Sequence, residues 1–236
     1  WYDGGSMFAY RLFTKLSRMK NMDFYSPNLE HDSSFNTLND SCKINTSNQL
    51  CICPIRFYSE FPKVLNADIM LQLSNSTRML QLRDPRDVLV SLFYSVAYSH
   101  LLKSKTGRGP TDKRRKDTLE KGINRFVIDN SAELKKRYEI YITELLPKKV
   151  ILLKYEDMVT NFKEWIIPIA QEFNLTIEEK NKIIDQYTDE FIPKKEDKYA
   201  HKRKMTPGDY KDKLKPETIE ELNTTFKDVL QKLNYN

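Results

Sequence analysis

Apolar residues follow two patterns along this chain: short runs, which are typical of buried strands, and a repeat every three or four residues, which is typical of helices. Short, largely apolar runs predict strands at 50–55, 79–82 and 150–153. Longer segments with an apolar residue every three or four positions predict helices at 1–20 (after a turn at 3–6), 118–146, 161–173, 178–187 and 217–233. The stretches between them are polar: an Asn/Ser/Asp-rich excursion at 21–50, a basic loop at 102–117 and a charge-dense loop at 194–204.

Strands that alternate with helices predict an α/β fold with a central, mainly parallel sheet flanked by helices. The length of 236 residues suits one such domain, and we expect a single domain over residues 1–236. Because the chain opens on Trp1 and not on methionine, we expect a preceding segment to be missing. No apolar run is long enough to span a bilayer.

Charge and cysteine content narrow the function classes. The net charge of +6 favours anionic partners such as nucleic acid, an acidic membrane, a nucleotide or a sulfated small molecule, although ordinary solubility charge explains it equally well. Cys42, Cys51 and Cys53 lack metal-site spacing, so reduced structural thiols and a cytoplasmic location are expected. None of the three histidines has ligand spacing with another, so no metal is predicted.

Residues 82–95, LRDPRDVLVSLFYS, carry the strongest chemical signal. An apolar strand ends in a charged turn, and a helix follows. That layout places cations and helix N–H groups around an anion at the carboxyl edge of a sheet. Arg83 would leave the strand, and Ser91 would lie on the helix with a hydroxyl to donate. A terminal phosphate is the predicted ligand, although Arg-Asp-Pro turns also occur as plain surface corners.

Two further segments have the composition of anion sites. Gly4, Gly5 and Ser6 open a helix, where backbone N–H groups can approach a phosphate, but Ser6 also suits a simple helix cap. Residues 201–211, HKRKMTPGDYK, place a cation cluster before a tight turn, which is consistent with a phosphate clamp or with a solvated charge run. The chain lacks the GxxxxGK[ST] spacing of a P-loop kinase, which disfavours that activity.

In this order the segments resemble those of the cytosolic-type sulfotransferases, which use 3′-phosphoadenosine 5′-phosphosulfate (PAPS) and release adenosine 3′,5′-bisphosphate (PAP). LRDPRDVLVSLFYS is similar to the family's RNPKDxxVSxY segment, and 203–211, RKMTPGDYK, to its RKGxxGDWK segment. LKYEDM at 153–158 resembles the family's FYEDM stretch, and SPNLE at 26–30 a PxLE stretch.

The resemblance implies a role for each matching position. Arg83, Ser91 and Arg203, with Lys204 and Met205 beside them, would hold the 3′-phosphate. Tyr155 would pack near the adenine. A P-loop-like phosphosulfate loop would wrap the 5′-phosphosulfate with these residues: Gly4, Gly5, Ser6, Met7 and Phe8.

Three departures from the family pattern concern catalysis and assembly. Asp3 stands where the family's phosphosulfate loop has a lysine, with Arg11, Lys15 or Lys204 as possible replacements. The family's catalytic histidine has no counterpart in CPIRFYSEFP, at 53–62, so Glu60 is the first candidate base, with His31 and Asp23 behind it. The family's dimer motif loses its central Thr-Val at 211–220, which leaves the oligomeric state open.

The expected activity is therefore transfer of a sulfuryl group from PAPS to a hydroxyl or amine of a small-molecule acceptor. The alternative is a catalytically impaired protein of the same fold that binds polyanions or nucleic acid. That alternative predicts steeply salt-dependent binding and no preference for a 3′-phosphate.

Overall fold

The computed structural model describes residues 6–25, 50–52, 77–99, 111–146, 150–191, 197–199 and 205–235. Four strands lie in these ranges: β1 (Asp23–Tyr25), β2 (Leu50–Ile52), β3 (Arg78–Leu82) and β4 (Val150–Lys154). The helices there are α1 (Ser6–Met19), α2 (Pro85–Tyr94), α3 (Asp112–Ile140), α4 (Tyr155–Thr160), α5 (Phe162–Trp165), α6 (Ile167–Glu172), α7 (Ile177–Tyr187), α8 (Tyr210–Lys213), α9 (Pro216–Thr225) and α10 (Lys227–Leu233). One π-helical turn follows α2 at Ser95–Ser99, another follows α3 at Tyr141–Leu145, and a 3₁₀ turn follows α7 at Thr188–Phe191.

Both strand pairs in the described part of the chain are parallel, as the sequence predicts. β1 pairs with β2, and β3 pairs with β4. In the second pair Leu82 lies opposite Lys154, so both strands end at the same edge. Arg83 and Tyr155 are the next residues along each strand and therefore meet at that carboxyl edge, where ligands bind in open α/β sheets.

Helices cover both faces of the β3–β4 pair, because strand side chains alternate in direction. Leu80, Leu82 and Leu152 belong to one apolar cluster, which includes buried residues of α2, α3, α9 and α10. Met79 and Leu153 belong to a second cluster, formed with α1 and α4 to α7. Burial on both faces accounts for strands that are largely apolar and lack a regular alternation with polar residues.

The start of the long helix α3 corrects one sequence expectation. We expected the basic loop to extend over 102–117, but α3 begins at Asp112. Thr111 caps the helix, since its hydroxyl accepts a hydrogen bond from the Arg114 N–H at 3.1 Å. The first turn is polar on every side, so it shows no apolar periodicity from which a helix could be predicted.

Other segments also differ in detail from what the apolar pattern predicts. Residues 161–173 form α5 and α6, and Pro168 lies in the first turn of α6. Proline fits a helix start because it has no N–H to place in the preceding turn. Strand β1 lies within the segment expected to be irregular, and its three residues are too few for a pattern to reveal. In the described ranges, no helix is both long enough and apolar enough to cross a membrane.

Candidate nucleotide site at the carboxyl edge of the sheet

Arg83 is a buried cation at the carboxyl edge of β3, with 8% of its surface exposed. Its guanidinium carbon lies 4.5 Å from the centre of the Tyr155 ring. Its Nη2 donates to Asp87 Oδ2 at 3.4 Å, which is a long hydrogen bond. Its Nε is buried and has no hydrogen-bond partner among the residues that the structure describes. A buried donor without a partner is costly, and an anion bound at this edge would satisfy it.

The surroundings of Arg83 keep it charged. Burial lowers the pKa of its guanidinium, but Tyr155, Asp87 and Glu156 together raise it by more, and the net shift is upward. Burial raises the pKa of the Asp87 carboxyl, and the Arg83 charge and two backbone N–H groups only partly oppose that shift. Asp87 therefore depends on these partners to be held as a buried anion.

Asp87 joins two of the three anion-site segments found in the sequence. Its side chain is fully buried. Its Oδ2 accepts a hydrogen bond from the Gly208 N–H at 2.8 Å, and its Oδ1 accepts one from the Tyr210 N–H at 3.0 Å. One carboxylate thus fixes the 205–210 segment against the start of α2. Sequence reasoning missed this residue, although a carboxylate four residues after Arg83 could have been expected to face it.

Ser91 lies one helical turn beyond Asp87 on α2, so both residues share one helix face. In the π-helical turn that continues α2, the Tyr98 ring packs edge-on against the Tyr199 ring, with the ring centres 5.9 Å apart. Lys198 Nζ lies 4.8 Å from the centre of the same Tyr98 ring. The described residues on either side of 200–204 are therefore anchored to α2 and its continuation, at Tyr98 and at Asp87.

Glu156 connects the end of β3 to the end of β4 through a hydrogen bond. Its Oε1 accepts a hydrogen bond from the Asp84 N–H at 2.9 Å, which joins the turn after β3 to the first turn of α4. Its Oε2 accepts a hydrogen bond from the Tyr235 hydroxyl at 3.2 Å. Burial raises the pKa of the Glu156 carboxyl, and the Asp84 N–H and the Arg83 charge partly oppose that shift.

Arg86, the second arginine of the turn, has a structural role. Only 3% of it is exposed, and its Nη2 forms an ion pair with Asp84 Oδ2 at 2.6 Å. Its Nη1 donates to Asn223 Oδ1 at 2.6 Å, and its guanidinium carbon lies 4.2 Å from the centre of the Tyr210 ring. These contacts join α2 to α8 and α9 and engage the guanidinium within the protein.

Phe8 is the described side chain of the expected phosphosulfate loop, and it belongs to the core. It is 4% exposed and packs edge-on against Phe162, Tyr187 and Phe191, with ring centres 4.9–5.7 Å apart. Phe8 can therefore contribute only a backbone N–H to a bound anion. Ser6 and Met7 form the start of α1, whose N-terminal N–H groups suit an anion.

Of the remaining expected site residues, only some lie in the described part of the chain. Asp23 is the first residue of β1. Six others lie outside the described residues: Gly4, Gly5, His31, Glu60, Arg203 and Lys204. Within the described part of the chain, no three His, Cys, Asp or Glu side chains are grouped so as to hold a metal ion.

Met205 adopts a backbone conformation that favours glycine, with φ of 55°. The left-handed region costs a residue with a side chain about 1–2 kcal/mol, and glycine loses about 0.5–1 kcal/mol more entropy on folding. We therefore expect Met205→Gly to raise the free energy of unfolding slightly, by about 0.5 kcal/mol, in urea titrations. Asn174→Gly, at φ of 47°, is the control and should gain less, because asparagine tolerates this region. A loss of more than about 1 kcal/mol in Met205→Gly would contradict the prediction.

Comparison with known proteins agrees with this geometry. The family model described as "Sulfotransferase domain" matches residues 65–234, which include Arg83, Ser91, Tyr155 and Arg203. The fold is similar to that of a mouse sulfotransferase, SULT7A1, complexed with PAP, at a TM-score of 0.57 and 15% identity. The alignment covers 96% of this chain and 80% of the mouse chain. Nothing among the curated proteins matches. Because the family model spans more than half of the sequence, the chain belongs to the sulfotransferase family.

Proposed function

We propose that this protein transfers a sulfuryl group from PAPS to a hydroxyl or amine of a small-molecule acceptor. The observation that carries the proposal is Arg83, a buried guanidinium at the carboxyl edge of two parallel strands, whose Nε has no partner within the described part of the chain. A 3′-phosphate supplies the anion that such a donor requires. The family and the PAP complex of a similar fold support the same co-substrate.

We assign the 3′-phosphate to Arg83, Ser91 and Arg203, with Lys204 and Met205 beside them. Ser91 shares a helix face with Asp87, the carboxylate that holds both Arg83 and Gly208. Tyr199 and Gly208, which flank Arg203 in the sequence, are anchored at Tyr98 and Asp87. Ser91 lies between Asp87 and Tyr98 along the chain, which supports placing Arg203 opposite the Ser91 hydroxyl.

We assign the adenine to the neighbourhood of Tyr155 and the 5′-phosphosulfate to the start of α1. Tyr155 already stacks on Arg83, so a nucleoside beside this ring would have its 3′-phosphate within reach of the guanidinium. The N–H groups of Gly4, Gly5, Ser6, Met7 and Phe8 would surround the phosphosulfate. The helix that they open, α1, has 14 residues and a full macrodipole.

Lys204 is our candidate for the cation that the phosphosulfate loop lacks at Asp3. Arg11 is engaged elsewhere, since its Nη1 donates to Glu190 Oε1 at 3.1 Å. Lys15 donates to Gln186 Oε1 and lies over the Tyr187 ring. Lys204 adjoins the segment that Asp87 holds at the site, and it is the remaining one of the three alternatives.

The reaction is an in-line displacement at sulfur. The acceptor oxygen or nitrogen forms a bond to sulfur while the bond from sulfur to the 5′-phosphate oxygen breaks, and PAP leaves with that electron pair. A base takes the acceptor's proton. Like phosphoryl transfer, the step depends on positioning and on neutralising charge, which the cations and helix N–H groups provide.

Glu60 is our first candidate for the base, followed by His31 and Asp23. We expect Glu60→Gln to lower kcat by about 10²–10⁴-fold, the usual contribution of a general base, with little change in the Kd for PAP. The measurement is transfer from radiolabelled PAPS to a panel of phenols, alcohols and amines. His31→Gln and Asp23→Asn are tested in parallel. Full turnover in Glu60→Gln would exclude that residue and leave the other two.

The test of the nucleotide assignment is calorimetric titration with PAP, with 5′-AMP and ATP as controls. We expect PAP to bind much more tightly than 5′-AMP, because only PAP carries a 3′-phosphate. Equal binding of the three nucleotides, with affinity for heparin or DNA that falls steeply as salt rises, would support the polyanion-binding alternative.

The cysteine pattern leads us to place the protein in the cytoplasm.

A further inference from the structure

We propose that Tyr235 is a positioning residue that sets the selectivity of this site for a 3′-phosphate, by keeping the Glu156 carboxylate away from Arg83. The inference rests on the proposed nucleotide site. The hydrogen bond of its hydroxyl to Glu156 is the contact by which Tyr235 reaches this edge. It is 8% exposed and follows the last helix, α10.

The position of Tyr235 is fixed from two sides. Its N–H donates to the Leu230 carbonyl at 2.8 Å, and Asn234 before it closes α10 in the left-handed conformation. Lys154, the last residue of β4, donates from Nζ to the Asn234 carbonyl at 3.1 Å. The same Nζ lies 4.8 Å from the centre of the Tyr235 ring. The phenol is thereby attached to the end of the strand that leads into Glu156.

Glu156 is shared among three positive or donor groups. The Asp84 N–H binds one oxygen and the Tyr235 hydroxyl binds the other. Arg83 acts on the same carboxylate through its charge, and Glu156 in turn helps to raise the pKa of Arg83. If the hydroxyl is removed, the freed oxygen loses its donor. Arg83 is a cation at this edge that can compensate it, because Glu156 already binds the N–H of the adjacent Asp84 and the guanidinium lies over the ring of the adjacent Tyr155.

Tyr235→Phe removes only the hydroxyl and is the test. We expect the Kd for PAP to rise about fivefold, the value of one hydrogen bond, while the Kd for 5′-AMP stays the same. The matched control is Tyr187→Phe, a tyrosine of similar burial in the other apolar cluster. Thermal unfolding of both variants identifies any general loss of stability, and the titrations are made well below both midpoints.

A double-mutant cycle distinguishes positioning from packing. In a Glu156→Gln background the competing charge is absent, so Tyr235→Phe should leave the ratio of PAP to 5′-AMP affinity unchanged. An equal effect of Tyr235→Phe with and without Glu156 would overturn the inference, as would no effect in the native background. If the unmodified protein shows no preference for PAP, the proposed function and this inference both fail. If that preference is present and Tyr235→Phe retains it, only this inference fails.

Discussion

Replacing Arg83 by alanine should raise the dissociation constant for PAP about 100-fold and leave that for 5′-AMP nearly unchanged. A charge-assisted hydrogen bond contributes about 1.5–3 kcal/mol, and each 1.4 kcal/mol is tenfold in affinity. Arg83 is largely buried, so little water is available to replace it. The measurement is calorimetric titration of both nucleotides with the native and variant proteins.

Arg83→Lys is the matched control, because it retains a charge to balance Asp87 but loses the planar fork of donors. We expect it to bind PAP with intermediate affinity. Thermal unfolding of both variants checks that the effect concerns the ligand, since the alanine variant also leaves the Asp87 carboxylate without its cation. Equal losses of PAP and 5′-AMP affinity in both variants would contradict a 3′-phosphate contact.

Replacing Asp87 by asparagine should have the largest effect on stability, a loss of about 3–5 kcal/mol. Breaking a buried charge pair from one side costs about this much, because the remaining charge stays buried and unpaired. The asparagine amide would also place a donor against the N–H of Gly208 or Tyr210, both of which need an acceptor. Urea unfolding followed by circular dichroism measures the loss.

The same variant should lose PAP affinity through the 205–210 segment. Asp87 holds that segment against α2, and Arg203 and Lys204 directly precede it in the sequence. Asp129→Asn is the control, because that carboxylate lies on the surface of α3 with Lys121 and Arg125, and exposed pairs contribute little. Native stability in Asp87→Asn would show that the two backbone N–H groups find other acceptors.

The amino-acid sequence is enough to predict the class of fold and the segments of the candidate site. Apolar runs of strand length, set between segments of helical period, predicted β3, β4 and the covering helices, because burial on both faces leaves a direct pattern in composition. The turn after β3 could also be predicted, since an apolar run, a charged turn with proline and a second apolar run are typical of a strand–turn–helix unit. Resemblance to a family then supplied the co-substrate.

The side chains that connect those segments can be identified only in the folded chain. The sequence analysis assigned no role to Asp87, Arg86 or Glu156, yet all three join elements far apart in the chain. Tyr235 binds Glu156, 79 positions away in the chain, and Glu156 in turn binds the turn after β3. Local patterns report burial and helical or strand period, whereas a hydrogen bond between distant residues leaves no periodic trace. Which cations, carboxylates and hydroxyls take part in the candidate site therefore depends on packing. Packing brings the strand ends, α2 and the last helix to one edge of the sheet.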